Sequence, residues 1–123
     1  MPQAAKDLQK AFVTPQDWTA FNNFDFWMYG TNSGAPMRFE ILDNRAAGST
    51  TDTSERFVYL FTDNWTGWRH FTLPWSSFTR RSDWQPAGAP NDGFGRTQVW
   101  GFNFSVISGT THFLLDEIRL TSP

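Results

Sequence analysis

The stretch Phe24-Asp25-Phe26-Trp27-Met28-Tyr29 decides the fold. Phe24, Phe26 and Met28 hold one parity and Asp25, Trp27 and Tyr29 the other, the period of two that sends successive side chains to opposite faces of a strand. Met37, Phe39 and Ile41 repeat the pattern against Arg38, Glu40 and Leu42. Phe57, Tyr59 and Phe61 line one side of a strand over 55–62. Trp68 to Leu73 reads as a strand ended by Pro74, which cannot donate to a ladder. Val99 to Ile107 and His112 to Leu120 close the chain, joined by Ser108-Gly109-Thr110-Thr111. In the last strand Phe113 and Leu115 share one parity while Ile118 and Leu120 share the other. A bulge near Asp116-Glu117 reconciles them.

Six short strands with polar turns predict an all-β fold, an antiparallel β-sandwich or jelly roll. Its core is expected to hold Phe26, Phe39, Phe57, Phe102, Phe104 and Leu115. The sandwich is assigned to 13–123. Residues 1–12 read as an N-terminal extension, with a short helix over 4–12. Two long polar segments, 43–54 and 79–96, interrupt the strands, and loops of such length in a compact domain are usually functional.

With 123 residues and a net charge of -2, the chain suits one core and does not attract a polyanion, so nucleic acid is not an expected partner. No cysteine is present, which excludes disulfides and thiolate chemistry. No apolar run approaches the ~20 residues of a membrane span, so no membrane partner is expected. The opening MPQAAKDLQKAF lacks the basic and apolar regions of a signal peptide, so an export signal is expected to belong to a longer parent chain. Seven Trp are more than a core this small hides easily, so some are expected to face water or a ligand.

Neither His70 nor His112 stands in a catalytic spacing, and both read as structural. A glycosidase needs two carboxylates about 5–10 Å apart across a sugar. Asp52, Asp83 and Asp92 are loop acids, yet a small sandwich offers little to wall a catalytic cleft, and no enzymatic activity is expected. The most informative segment is Phe78-Thr79-Arg80-Arg81-Ser82-Asp83-Trp84-Gln85-Pro86. Sugars present apolar C–H faces and rings of hydroxyls. Trp can stack on the first, and Asp, Arg and Gln can hydrogen-bond the second. The competing reading is a loop pinned by its own Arg–Asp pair, with Trp84 as a hydrophobic plug.

These residues resemble family 11 carbohydrate-binding modules. The matching pieces are Thr66-Gly67-Trp68, Leu73-Pro74-Trp75-Ser76-Ser77-Phe78, Arg80 to Pro86, Val99 to Phe104 and Phe113 to Leu120, with Asp17-Trp18 and Phe24 to Met28 upstream. The resemblance implies a galactose-binding-like jelly roll that binds single β-1,4 or mixed β-1,3-1,4 glucan chains, in an extracellular or periplasmic setting. It implies ligand contacts at Arg81, Asp83 and Trp84, with Trp in place of the usual Tyr. Gln85 joins them as a candidate from the loop's composition. Asn103 stands where the family has a strand His, Val106 where it has a Tyr, and Asp52 near a further acid. Trp27 and Tyr29, opposite the core parity, are additional candidates for the cleft. No cofactor is required, but the resemblance implies structural calcium, with Asp116 as a ligand.

The family's first strands have no counterpart by eye, about a third of a module. That suggests a second role: docking against protein, either a catalytic glycoside hydrolase domain in the parent chain or a second copy in a homodimer, through an unpaired edge. Trp27, Tyr29, Trp75 and Trp100 are the residues favouring it.

Overall fold

The computed structural model describes residues 3–5, 7–109 and 113–122. Among the described residues nine strands run in chain order: β1 Gln3–Ala5, β2 Asp7–Gln16, β3 Asn23–Thr31, β4 Pro36–Leu42, β5 Arg56–Thr62, β6 Thr66–Pro74, β7 Thr79–Arg80, β8 Val99–Val106 and β9 Phe113–Thr121. They form two antiparallel sheets, one ordered β1-β9-β3-β6 and the other β2-β8-β4-β5-β7. Among the described residues the single helical feature is one 3-10 turn at Trp75–Ser77.

The inward parity of β3 meets the inward parity of β4 and β8. Phe39 stacks on Phe104 at 4.3 Å, Phe24 lies 4.4 Å from Phe39, and Phe26 meets Phe104 edge-on at 5.0 Å. Such pairs add about 0.5–1.5 kcal/mol each beyond the area they bury. All six residues expected in the core are buried. The bulge in the last strand is present. Asp25 faces Arg119 and Trp27 faces Asp116, so β9 carries one extra residue there, and Glu117 takes a positive φ of 49°. Ile118 and Leu120 therefore return to the core side.

The helix over 4–12 is not formed; residues 4, 5 and 7–12 are strand. Leu8 and Phe12 stand four apart, a spacing that puts two side chains on one face of a helix and equally on one face of a strand. The pairing of Asp7–Ala11 with Ser105–Gly101 decides between them, and Leu8 and Phe12 pack against the core. That pairing needs a glycine opposite Ala11. A Cβ on Gly101 would sit 2.3 Å from the Lys10 carbonyl oxygen. Gly101→Ala is expected to push β2 off the sheet and cost about 1–3 kcal/mol. Urea unfolding measures the loss, and an unchanged midpoint would show that β2 contributes little.

Of the seven Trp, Trp18 is buried and stacks on Trp75, while only Trp68 and Trp84 are exposed. His70 is structural: its Nε2 bonds the buried Asp25 carboxylate and its ring stacks on Trp27. His112 lies outside the described residues.

Candidate functional site

The outer face of the five-stranded sheet carries a polar row in register. Asn103 of β8 pairs across to Glu40 of β4, and Glu40 to Val58 of β5. Strand parity turned Glu40 outward, yet it is only 4 % exposed because Arg81 covers it. Each of its carboxylate oxygens has a donor: Asn103 Nδ2 at 2.8 Å on one, Arg81 Nη1 at 2.8 Å on the other. Arg81 also grips Asp83 in a fork, Nε to Oδ1 at 2.7 Å and Nη2 to Oδ2 at 3.3 Å. Its hydrogen bond to Asp83, then those to Glu40, raise the Arg81 pKa further, and the same bond holds the Asp83 carboxyl below the usual range. Asp83 is thus a fixed anion with its side chain 66 % exposed, and each oxygen keeps a lone pair for a hydroxyl.

Trp84 follows, 48 % exposed. Two guanidiniums flank the ring, Arg81 at 5.3 Å and Arg56 at 5.5 Å from its centroid. Arg56 is held by Asp52 at 2.6 Å. Burial alone would raise the Asp52 carboxyl, but the Ser54 N–H and the Arg56 guanidinium outweigh it and hold it low. Asp52, Arg56, Trp84, Arg81, Asp83, Glu40 and Asn103 therefore form one chain of contacts. Glu40 and Arg56 are the members the sequence reading missed. Glu40 was visible as a charge in the outward parity of β4, but nothing local tied it to a loop 41 residues away.

The Gln85 amide is taken up by the backbone. Its Oε1 accepts the Arg56 N–H at 2.8 Å, and its Nε2 donates to the carbonyls of Arg56 and Arg81 at 3.0 and 2.9 Å. The amide acts as a short length of β-ladder on β5 and clamps both ends of the Arg81–Gln85 turn. Gln85→Ala leaves the Arg56 N–H without its acceptor and takes one donor from the Arg56 and Arg81 carbonyls, the former keeping the Arg81 N–H at 2.9 Å, and about 1–3 kcal/mol of stability is expected to be lost. Thermal unfolding checks it; a loss below about 0.5 kcal/mol would mean the turn holds without the clamp.

Beside the row lies a groove of about 310 Å³, floored by Val58 and the exposed Leu60 and edged by Arg38, Asp83 and Ile107. A second cleft, about 580 Å³, opens between the two long loops over Trp100, with the Arg45 guanidinium 3.9 Å from its ring.

Trp27 and Tyr29 are elsewhere. They lie on the outer face of the four-stranded sheet, Trp27 against His70 and Tyr29 edge-on to the exposed Trp68 at 5.5 Å. Parity separated them from the core, but β3 pairs with β6 and β9, which puts the whole sandwich between them and Trp84. Asp116 is on that same sheet, opposite Trp27, and its Oδ1 accepts the Glu117 N–H at 2.9 Å. The cluster of three acids close enough to share an ion, among the described residues, is Asp43, Glu55 and Asp92, and Asp116 is not in it.

A family model described as "Carbohydrate binding domain (family 11)" matches residues 7–122. No curated protein matches the chain. The fold is similar to a family 11 carbohydrate-binding module from Clostridium thermocellum solved in complex with a β-1,3-1,4-mixed-linked tetrasaccharide. The TM-score is 0.73 and identity 21%, covering 99% of this chain and 88% of that one. It is similar to the module of the cellulosomal cellulase Lic26A-Cel5E of the same organism, at TM-score 0.72 and 20% identity over 100% and 87%. The solution structure of CtCBM11 gives TM-score 0.71 and 22% identity over 98% and 85%. The expectation that a third of a module has no counterpart is not met, since the match spans 85–88% of the solved modules, and Gln3–Ala5 and Asp7–Gln16 of this chain are strands β1 and β2.

Proposed function

The chain belongs to the family 11 carbohydrate-binding domains, and from that premise we propose that the outer face of its five-stranded sheet binds β-glucan chains, β-1,4 or mixed β-1,3-1,4 linked. The observation that carries this reading is the Arg81 fork, which locks Asp83 and presents Trp84 half-exposed beside it. Trp84 offers an apolar platform to a pyranose ring. Asp83 and the amide oxygen of Asn103 accept from hydroxyls, and Arg38 donates. Because Gln85 and Glu40 hold the turn before any ligand arrives, little ordering entropy is left to lose on binding. Affinity stays modest, since each sugar hydroxyl must replace a bond to water almost one for one. A module of this kind works as part of a longer exported chain, where it holds a catalytic glycoside hydrolase domain on its polymer. The similarity of this chain to the module of a cellulosomal cellulase supports that setting.

Affinity electrophoresis against barley-type mixed-linkage glucan, soluble cellulose derivatives, xylan and mannan tests the reading. Retardation on the glucans is expected; no retardation on any gel would overturn it.

A second reading, docking against protein, is favoured by one observation, the aromatic face built from Trp27, Tyr29 and Trp68 on the opposite sheet. Light scattering across a wide concentration range separates out self-association: a strictly monomeric mass removes the homodimer and leaves glucan binding untouched.

A further inference from the structure

Along one side of the sandwich the two sheets part. There β2, the edge strand of the five-stranded sheet, stands across from the second half of β9, and a slot of about 570 Å³ opens between them. Leu8 and Phe12 of β2 and Ile118 and Leu120 of β9 form half-buried walls, and the buried Trp18 and Phe24 line the slot as well. Apolar side chains of two facing sheets normally interdigitate. Here they border open space. The charged residues along the slot are Lys10 and Arg119, both cationic, and no carboxylate lines it.

The backbone beside the slot is as open as its side chains. β1 pairs with β9 over residues 113–115, and β3 takes the other side of β9. Among the described residues, 118–121 therefore have no strand on the β1 side. Successive residues of an antiparallel strand direct their N–H and C=O groups to opposite sides, so every second one here points away from β3. β2 has β8 on one side and, among the described residues, no strand on the other. It leaves the β8 ladder between Ala11 and Gln16, where Val13 is 97 % exposed. An open strand edge is a template for another chain. When an extended peptide adds to such an edge, its backbone completes the ladder and its alternate side chains fill the pockets beside it. Two cations and no acid along the slot call for an acidic residue on that peptide. We propose that the slot takes an extended segment of a partner protein, apolar at alternate positions and carrying an acid, which adds as a strand beside residues 118–121.

The slot shares none of Arg81, Asp83 and Trp84 with the glucan surface and does not depend on that reading. The probe is the capped peptide Thr-Val-Glu-Leu-Thr-Val, titrated into the full chain by calorimetry. Saturable binding is expected. Two further versions carry N-methyl groups on the odd or on the even residues. Only one parity can donate to the ladder, so one version is expected to lose binding and the other to keep it. Lys10→Glu, at an exposed position, is expected to weaken the peptide about fivefold and to favour its Lys-for-Glu form instead. The proposal is overturned if the peptide does not bind or if both N-methylated versions bind as well as the parent. It is equally overturned if Lys10→Glu keeps the preference for the acidic form. A chain that ignores the peptide but dimerises when concentrated would make the occupant a second copy, which also overturns it. None of these outcomes requires a sugar, so failure here and failure of glucan binding are separable.

Discussion

Trp84→Ala is expected to weaken β-glucan binding at least about 30-fold, roughly 2 kcal/mol, the range of an aromatic anchor at the centre of a binding surface. Tm is expected to move by less than about 3 °C, because exposed substitutions stay within about 0.5 kcal/mol. The reason for the split lies in the surroundings of the indole. The residue is half exposed, and its ring lies beside the guanidiniums of Arg56 and Arg81, each anchored by a carboxylate of its own. Neither Arg needs the ring to stay in place. Isothermal titration with a cello- or mixed-linkage oligosaccharide, beside differential scanning calorimetry, reads both quantities. A collapse of the fold would make Trp84 a plug, and unchanged affinity would move the binding surface elsewhere, the cleft over Trp100 being next in line.

Arg81→Ala is expected to damage binding and stability together. Glu40 is almost wholly buried, and removing its cation leaves a buried carboxylate with only Asn103 as a donor. Breaking one side of a buried pair costs about 3–5 kcal/mol, a large share of the 5–15 kcal/mol that holds a domain of this size. Asp83 loses its clamp in the same variant, so glucan affinity falls as well. Asp83→Ala separates the two effects. Its side chain is mostly exposed, so binding is expected to drop while the unfolding midpoint holds. The double variant Glu40→Ala, Arg81→Ala closes the cycle and is expected to recover part of the stability lost in Arg81→Ala, since the uncompensated charge is gone. An Arg81→Ala protein as stable as wild type would show that Glu40 is held without it.

Alternation by itself determined the two faces of each strand, and with them the core. Phe26, Phe39 and Phe104 could face only inward once the period was two, because a slip of one residue would drive every aromatic into water. The same parity exposed the bulge at Asp116-Glu117, since two hydrophobic sets of opposite phase in one strand admit no other regular solution. The short motif Arg81-Ser82-Asp83-Trp84 was legible for a similar reason: its contacts are local, and a fork between residues two apart needs no knowledge of the fold.

Tertiary structure decided everything that depends on which strand lies beside which. Leu8 and Phe12 fit a helix and a strand equally, and only the ladder to β8 chose. Trp27 and Tyr29 had the outward parity of a cleft residue, but parity does not say which sheet a strand joins. Glu40 and the acids Asp43, Glu55 and Asp92 stand far from their partners along the chain, and Arg56, though four residues from Asp52, is far from Trp84 and Gln85. They meet because β4, β5 and the long loops are neighbours in one sheet. Gln85 looked like a hydrogen-bonding group for a sugar, and in the folded chain the backbone of Arg56 and Arg81 takes its amide first. A side chain's chemistry is local, but whether it is spent inside the protein or offered to a ligand depends on which buried groups the fold brings within reach.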